Sequence, residues 1–173
     1  MTHRPYTPPA WQSKLMADGR VTLLVVPLKV QPKYEYRSWE TNLPYATGDL
    51  IWCRETYIGP YAYEVNEYKP KDWGNKPIWF PADGPIPERF VGQFWHKARS
   101  PVTMPKWAAR TWLRVTGVEV RRVQTISEDE ALSVVPRING KMSHTVFSAY
   151  FPNFSANPWA AFTTVEKISK EDV

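Results

Sequence analysis

The side chains able to do chemistry fall in three short stretches. Arg54-Glu55 lies inside Leu50-Ile51-Trp52-Cys53-Arg54-Glu55-Thr56-Tyr57, and Gly19-Arg20-Val21-Thr22 opens an aliphatic run. Met104-Pro105-Lys106-Trp107-Ala108-Ala109-Arg110 comes shortly before Arg114. Lysine and arginine bind phosphates with release of counterions. A carboxylate such as Glu55 in the mouth of a barrel can accept bonds from the amino group of a base; a salt bridge with Arg54 or Arg20 is the equally available use. Indoles stack on bases, although in a small β-rich fold most aromatic rings fill the core. These residue types predict Arg20, Thr22, Arg54 and Glu55 around a base or nucleoside. Lys106, Arg110 and Arg114 would contact phosphates, and one of Trp52, Trp95 or Trp107 would stack. The bland alternative for the same cations is a solvated rim.

Other constellations are absent. The sequence holds no Walker loop, no Gly-x-Gly-x-x-Gly and no His-Glu-x-x-His. His3, His96 and His144 are scattered without metal-ligand spacing, so no metal and no cofactor are expected. Cys53 sits inside a predicted strand, where a buried inert thiol is the expected state. Glu128, Asp129 and Glu130 are explained by the helix start they decorate.

The elements that must position these groups are short. Trp11 to Asp18 forms a helix with Trp11, Leu15 and Met16 on one side and Gly19 as its stop. Val21 to Val26 is a buried strand ended by Pro27, and Gly48-Asp49 turns into the strand Leu50 to Tyr57. Pro105 opens a single helical turn. Leu113 and Val115 share a face with Val118 and Val120 only if the register slips by one, which predicts a β-bulge at Gly117. Ser127 and Glu130 form a capping box that starts a helix ended by Pro136. A further helix covers Ser143 to Tyr150, and Ala160 to Val165 is the last strand. Residues 1–10 are expected to be an irregular lead-in, 31–47 a loop, 59–102 a loop-rich excursion that pairs in part as a hairpin, and 168–173 a charged tail.

These pieces make one domain over residues 1–173, of the α+β kind, with a small mixed β-barrel flanked by short helices. One cysteine excludes an internal disulfide and fits a reducing cytoplasm. The first residues carry no signal-peptide core, and no apolar run approaches the roughly 18 residues of a membrane span. A soluble, cytoplasmic protein is therefore expected. A net charge of +5 favours a polyanionic partner, ordinary solubility charge being the competing explanation. Seventeen prolines, about twice the average share, argue for many short elements and long loops.

The stretch Gly48-Asp49-Leu50-Ile51-Trp52-Cys53-Arg54-Glu55-Thr56-Tyr57 resembles the Gly-Asp-x-x-Trp-x-Arg-Glu-Thr-Trp signature of phage and prophage ASCH-domain proteins, members of the PUA-like superfamily. Residues 104–110 resemble their Met-Pro-Arg-x-Ala-x-Arg segment, and residues 113–128 resemble their Leu-x-Val-Thr-x-Val-x-Val-Glu-Arg-Leu-x-x-Ile-Ser-Glu. Asn157-Pro158-Trp159 is similar to their closing Asn-Pro-Trp. The resemblance runs from about residue 11 to 167 and implies a small β-barrel with a cleft at one mouth and a link to RNA or modified nucleotides.

Some small ASCH proteins hydrolyse N4-acylated cytidines with a Lys and a Thr from Gly-Arg-Lys-Thr-x-Thr-x-Arg, a motif that ends in an Arg, and a Glu from the helix after the long strand. Laid on this chain, those positions are Val21, Leu24, Val26 and, within a residue or two, Val134; Gly19, Arg20 and Thr22 match. Amide hydrolysis needs a group to activate water and a donor for the oxyanion, which these aliphatic side chains do not supply. The resemblance thus implies a phage-encoded, non-catalytic module that binds nucleic acid or a modified nucleotide in the host cytoplasm. Two alternatives stay open. One is an accessory protein that binds a host protein through the excursion, and the other is an amidohydrolase or nuclease with substitute groups such as Lys29 or Lys106.

Overall fold

The computed structural model describes residues 2–32, 43–59, 77–92, 97–135 and 140–173. The strands are β1 (His3–Tyr6), β2 (Leu23–Pro27), β3 (Leu50–Cys53), β4 (Trp112–Arg122) and β5 (Trp159–Ile168). The α-helices are α1 (Ala10–Ala17), α2 (Glu128–Val134) and α3 (Ser143–Tyr150). The protein is α+β, with a mixed five-stranded sheet in the order β1-β3-β4-β5-β2. β1 runs parallel to β3, and the other pairs are antiparallel. No helix among the described residues is long and apolar enough to cross a membrane.

β4 and β5 form the spine, and their register shifts between Val115 and Gly117, where the bulge is expected. The shift returns apolar side chains to the covered side of the strand. β5 is buried on both faces from Ala160 to Thr163 because both are covered. One side holds Met16 of α1 with Leu24, Ile51, Leu113, Val115 and Val165. The other holds Leu23, Ala160 and Phe162 against Ala131, Val134, Val146 and Phe147 of α2 and α3. Leu24, Ile51 and Leu113 are fully buried, each worth about 2 kcal/mol of transfer free energy. A third cluster gathers Tyr57, Phe80, Met104, Ala108 and Trp112 under the segments that follow β3 and precede β4.

Local chemistry sets the ends. Ser127 accepts from the Glu130 backbone while Glu130 reaches back to the Ser127 N–H, so the capping box forms. Gly19 adopts φ +72°, a left-handed stop for α1 that a side chain would strain. The turn at Pro105 is Lys106–Ala108.

Several expectations are corrected. The lead-in is not irregular: Asp49 accepts from the Thr2 N–H (3.0 Å) and hydroxyl (2.7 Å), docking residues 3–6 beside β3, with Pro5 tolerated on an edge strand. β3 stops at Cys53, and among the described residues only isolated bridges continue, Tyr57 to Arg99 and Ile58 to Trp79. β5 extends to Ile168, and the tail then makes a turn at Lys170–Asp172. On α1 the buried residues are Gln12, Ser13 and Met16, while Trp11 and Leu15 are half-buried. Trp95, His96, Pro136 and much of the 31–47 and 59–102 stretches lie outside the described residues.

Candidate functional site

Glu55 and Arg110 come together, but as a structural pair. Glu55 is 1% exposed and accepts from Arg110 Nε at 3.0 Å and Nη2 at 2.8 Å, a bidentate match of carboxylate to guanidinium. Arg110 also donates to Asp83 and lies 4.2 Å over the Phe80 ring. Asp83 is further bound by Lys14, which pairs with Asp18 as well. Burial pushes the Asp83 carboxyl up, but the bonds and charges of Arg110 and Lys14 outweigh it and hold it below the ordinary range. Glu55 is therefore paired with neither Arg54 nor Arg20, and its oxygens are committed to Arg110. Arg114 is likewise paired, with Glu166 at 3.0 Å. Glu55, Arg110 and Arg114 of the expected binding set thus all stand in ion pairs within the protein.

The remaining predicted residues are dispersed. Arg54 Nε donates to Thr7 Oγ1 at 3.0 Å, with its guanidinium 5.8 Å over Trp52. Arg20 and Thr22 are exposed, and Thr22 joins the scaffold through its backbone, its N–H to Ser133 O and its carbonyl from Val165 N–H. Lys106 and Trp107 are exposed at the opposite end of the β3–β4 pair from Asp49, beside Trp112. Among the described residues no group of three His, Cys, Asp or Glu side chains is placed to hold a metal ion.

A cavity of about 310 Å³ stands where the sheet's two edges approach each other. Tyr6, the last residue of β1, and Val25, Val26 and Pro27 of β2 line it from the two edges. Trp11 and Gln12 of α1, Val134 and Val135 at the end of α2, and Phe147, Tyr150 and Phe151 complete the wall. The sheet is therefore curled, and no ladder joins β1 to β2 among the described residues. Its volume falls in the range of small-ligand pockets.

The polar atoms of this cavity are few and tightly placed. Gln12 is 2% exposed; its Nε2 donates to Val134 O at 3.1 Å, satisfying a carbonyl in the last turn of α2. Tyr6 Oη donates to Gln12 Oε1 at 3.2 Å, which fixes the orientation of the amide. Burial, reinforced by Tyr45 and Cys53, pushes the Tyr6 phenol well up, so it stays a neutral donor. One Nε2 hydrogen and one Oε1 lone pair of Gln12 are left for a ligand. The Trp11 and Tyr150 rings, 5.3 Å apart and tilted by 38°, give the wall an aromatic surface. Among the described residues the lining offers no carboxylate, imidazole, thiol or amine to activate water or attack a carbonyl. It suits a neutral, planar group, because a bare charge there would lose its hydration.

A second cavity of about 350 Å³, lined by Leu15, Arg20, Val21 and Leu132, shares Val134 and Val135 with the first. Arg20 thus stands across the end of α2 from the apolar cavity, and Arg54 reaches Thr7, next to Tyr6. Gln12, Tyr6 and Tyr150 were not legible as site residues, since nothing in a sequence marks a helical glutamine as buried. Comparison with family models, with curated proteins and with solved structures returns no match for this chain.

Proposed function

We propose that this chain is a phage-encoded, non-catalytic module of ASCH type, a PUA-like barrel left open between β1 and β2, that binds the base of a nucleoside, nucleotide or nucleic acid in the cavity beside Gln12. The observation that carries the reading is the place of two positions aligned with the hydrolases, one with the closing Arg of their motif and one with their helix Glu. Val26 and Val134 both line that cavity, together with an oriented amide and two aromatic rings. A base offers a flat apolar face for the rings and donors and acceptors on its edge for Gln12. Arg20, in the adjoining cavity, and Arg54, bonded to Thr7 next to Tyr6, would meet ribose or phosphate outside it. The aliphatic lining favours binding over turnover.

The test is a titration of the protein with nucleosides, following tryptophan fluorescence at two salt concentrations. Trp11 on the wall should respond, saturably and with little salt dependence. Gln12→Leu should weaken the tightest nucleoside by about tenfold through its unmatched edge groups. No response to any nucleoside would sink the reading, and turnover of an N4-acylcytidine would overturn its non-catalytic half. A second reading, an accessory protein that docks on a host protein, rests on Leu132, Met142 and Tyr150, which are 46%, 56% and 56% exposed beside the helical layer.

A further inference from the structure

A second site lies apart from the apolar cavity. An open groove of about 460 Å³ is lined by Lys106, Trp107, Trp112, Lys170 and Val173. Trp112 is buried, while Trp107 keeps 37% of its surface exposed. Both ammonium groups are held in place. Lys106 donates to His3 Nδ1 and lies 5.5 Å over the Trp112 ring; His3 is itself set edge-on to that ring at 5.9 Å and 77°. Lys170 Nζ donates to the Trp107 carbonyl at 2.6 Å, which brings the tail to the wall.

Neither lysine is ion-paired with a carboxylate among the described residues, in contrast to Arg110, Arg114 and Arg121. Glu171 and Asp172 share the turn of Lys170 and reach neither ammonium as ion-pair partners. Two cations, one bonded to His3 and the other to the Trp107 carbonyl, thus line a groove that also presents an indole. Lysine is a point-charge ligand for phosphate, and an exposed indole takes a base only when that base is unstacked.

We propose that this groove binds single-stranded nucleic acid, with one phosphodiester held between Lys106 and Lys170 and the neighbouring base stacked on Trp107. His3 positions Lys106 through its Nδ1. The site goes beyond the cavity and does not rest on it, because a nucleoside has no phosphate to offer the lysines.

The measurement is the affinity of the full chain for a short single-stranded oligodeoxythymidylate across a salt series. Wild type should bind with a clear negative slope of log affinity against log salt. The K106A/K170A variant should lose about 1.4 from the magnitude of that slope, and about tenfold or more in low-salt affinity. W107A should cost about tenfold in affinity and leave the slope in place. Wild type that fails to bind, or a double variant with unchanged slope and affinity, would overturn the proposal. Loss of nucleoside binding with the oligonucleotide result intact would remove the cavity reading alone.

Discussion

Glu55 shows how burial decides what a charged residue is for. Its carboxylate is 1% exposed and receives two bonds from Arg110, whose own side chain is 24% exposed. Removing one partner of a buried pair leaves an uncompensated charge and costs about 3–5 kcal/mol, whereas replacing both with apolar groups is far less damaging. Because water reaches the Arg110 side, Arg110→Ala should lose about 3 kcal/mol in urea unfolding. The double variant Glu55→Met, Arg110→Met should recover a large part of that loss. A double variant less stable than Arg110→Ala would mean the pair contributes more than charge compensation. Both residues stand out in the sequence, but their pairing does not. They are 55 residues apart, and the order of strands brings them together. The same holds for the cavity, where Tyr6, Gln12 and Val134 meet only through the fold.

Among the elements, β1 is anchored at its start by Asp49. Asp49 accepts from Thr2 N–H, Thr2 Oγ1 and Ala46 N–H, and lies 3.4 Å from Arg4. Burial raises its pKa, but the bonds from Thr2 and Ala46 and the charge of Arg4 win and hold it below the ordinary range. A carboxyl lowered in the folded state contributes its full stability above its unfolded pKa, near 3.9, and loses it as pH falls through the lower folded value. Asp49→Asn should therefore lower the Tm at pH 7 while its deficit against wild type shrinks by pH 3. A deficit that is the same at both pH values would show that the charge does not hold β1. The helices, the bulge and the strands from Val21 onward were legible because capping, glycine and alternation are local signals. The N-terminal strand was not, since a proline-bearing segment becomes β1 only by pairing with a strand some 47 residues away. The boundary of β3 failed for the opposite reason: burial alternates on past Cys53, but the ladders with β1 and β4 do not run on.

For the whole molecule, Cys53 offers a reporter of how the parts cohere. It is fully buried on β3, between β1 and β4, and burial, reinforced by the charge of Glu55, pushes its thiol well up. The thiolate is the reactive form, so alkylation of the native protein requires the sheet to open. The labelling rate should then rise with urea in proportion to the unfolded fraction. The apolar cavity exists only when β1, β2, α1, α2 and α3 are all assembled, so a ligand that fills it binds the native state alone. At a concentration 100 times its Kd, such a ligand should slow the labelling about 100-fold by mass action. A nucleoside that changes tryptophan fluorescence but leaves the labelling rate untouched would have to bind somewhere other than this cavity, or leave β3 free to open locally. Labelling of the free protein that is fast and indifferent to urea would select the second case, and would detach β3 from the cooperative unit that the shared core of α1, β3, β4 and β5 implies.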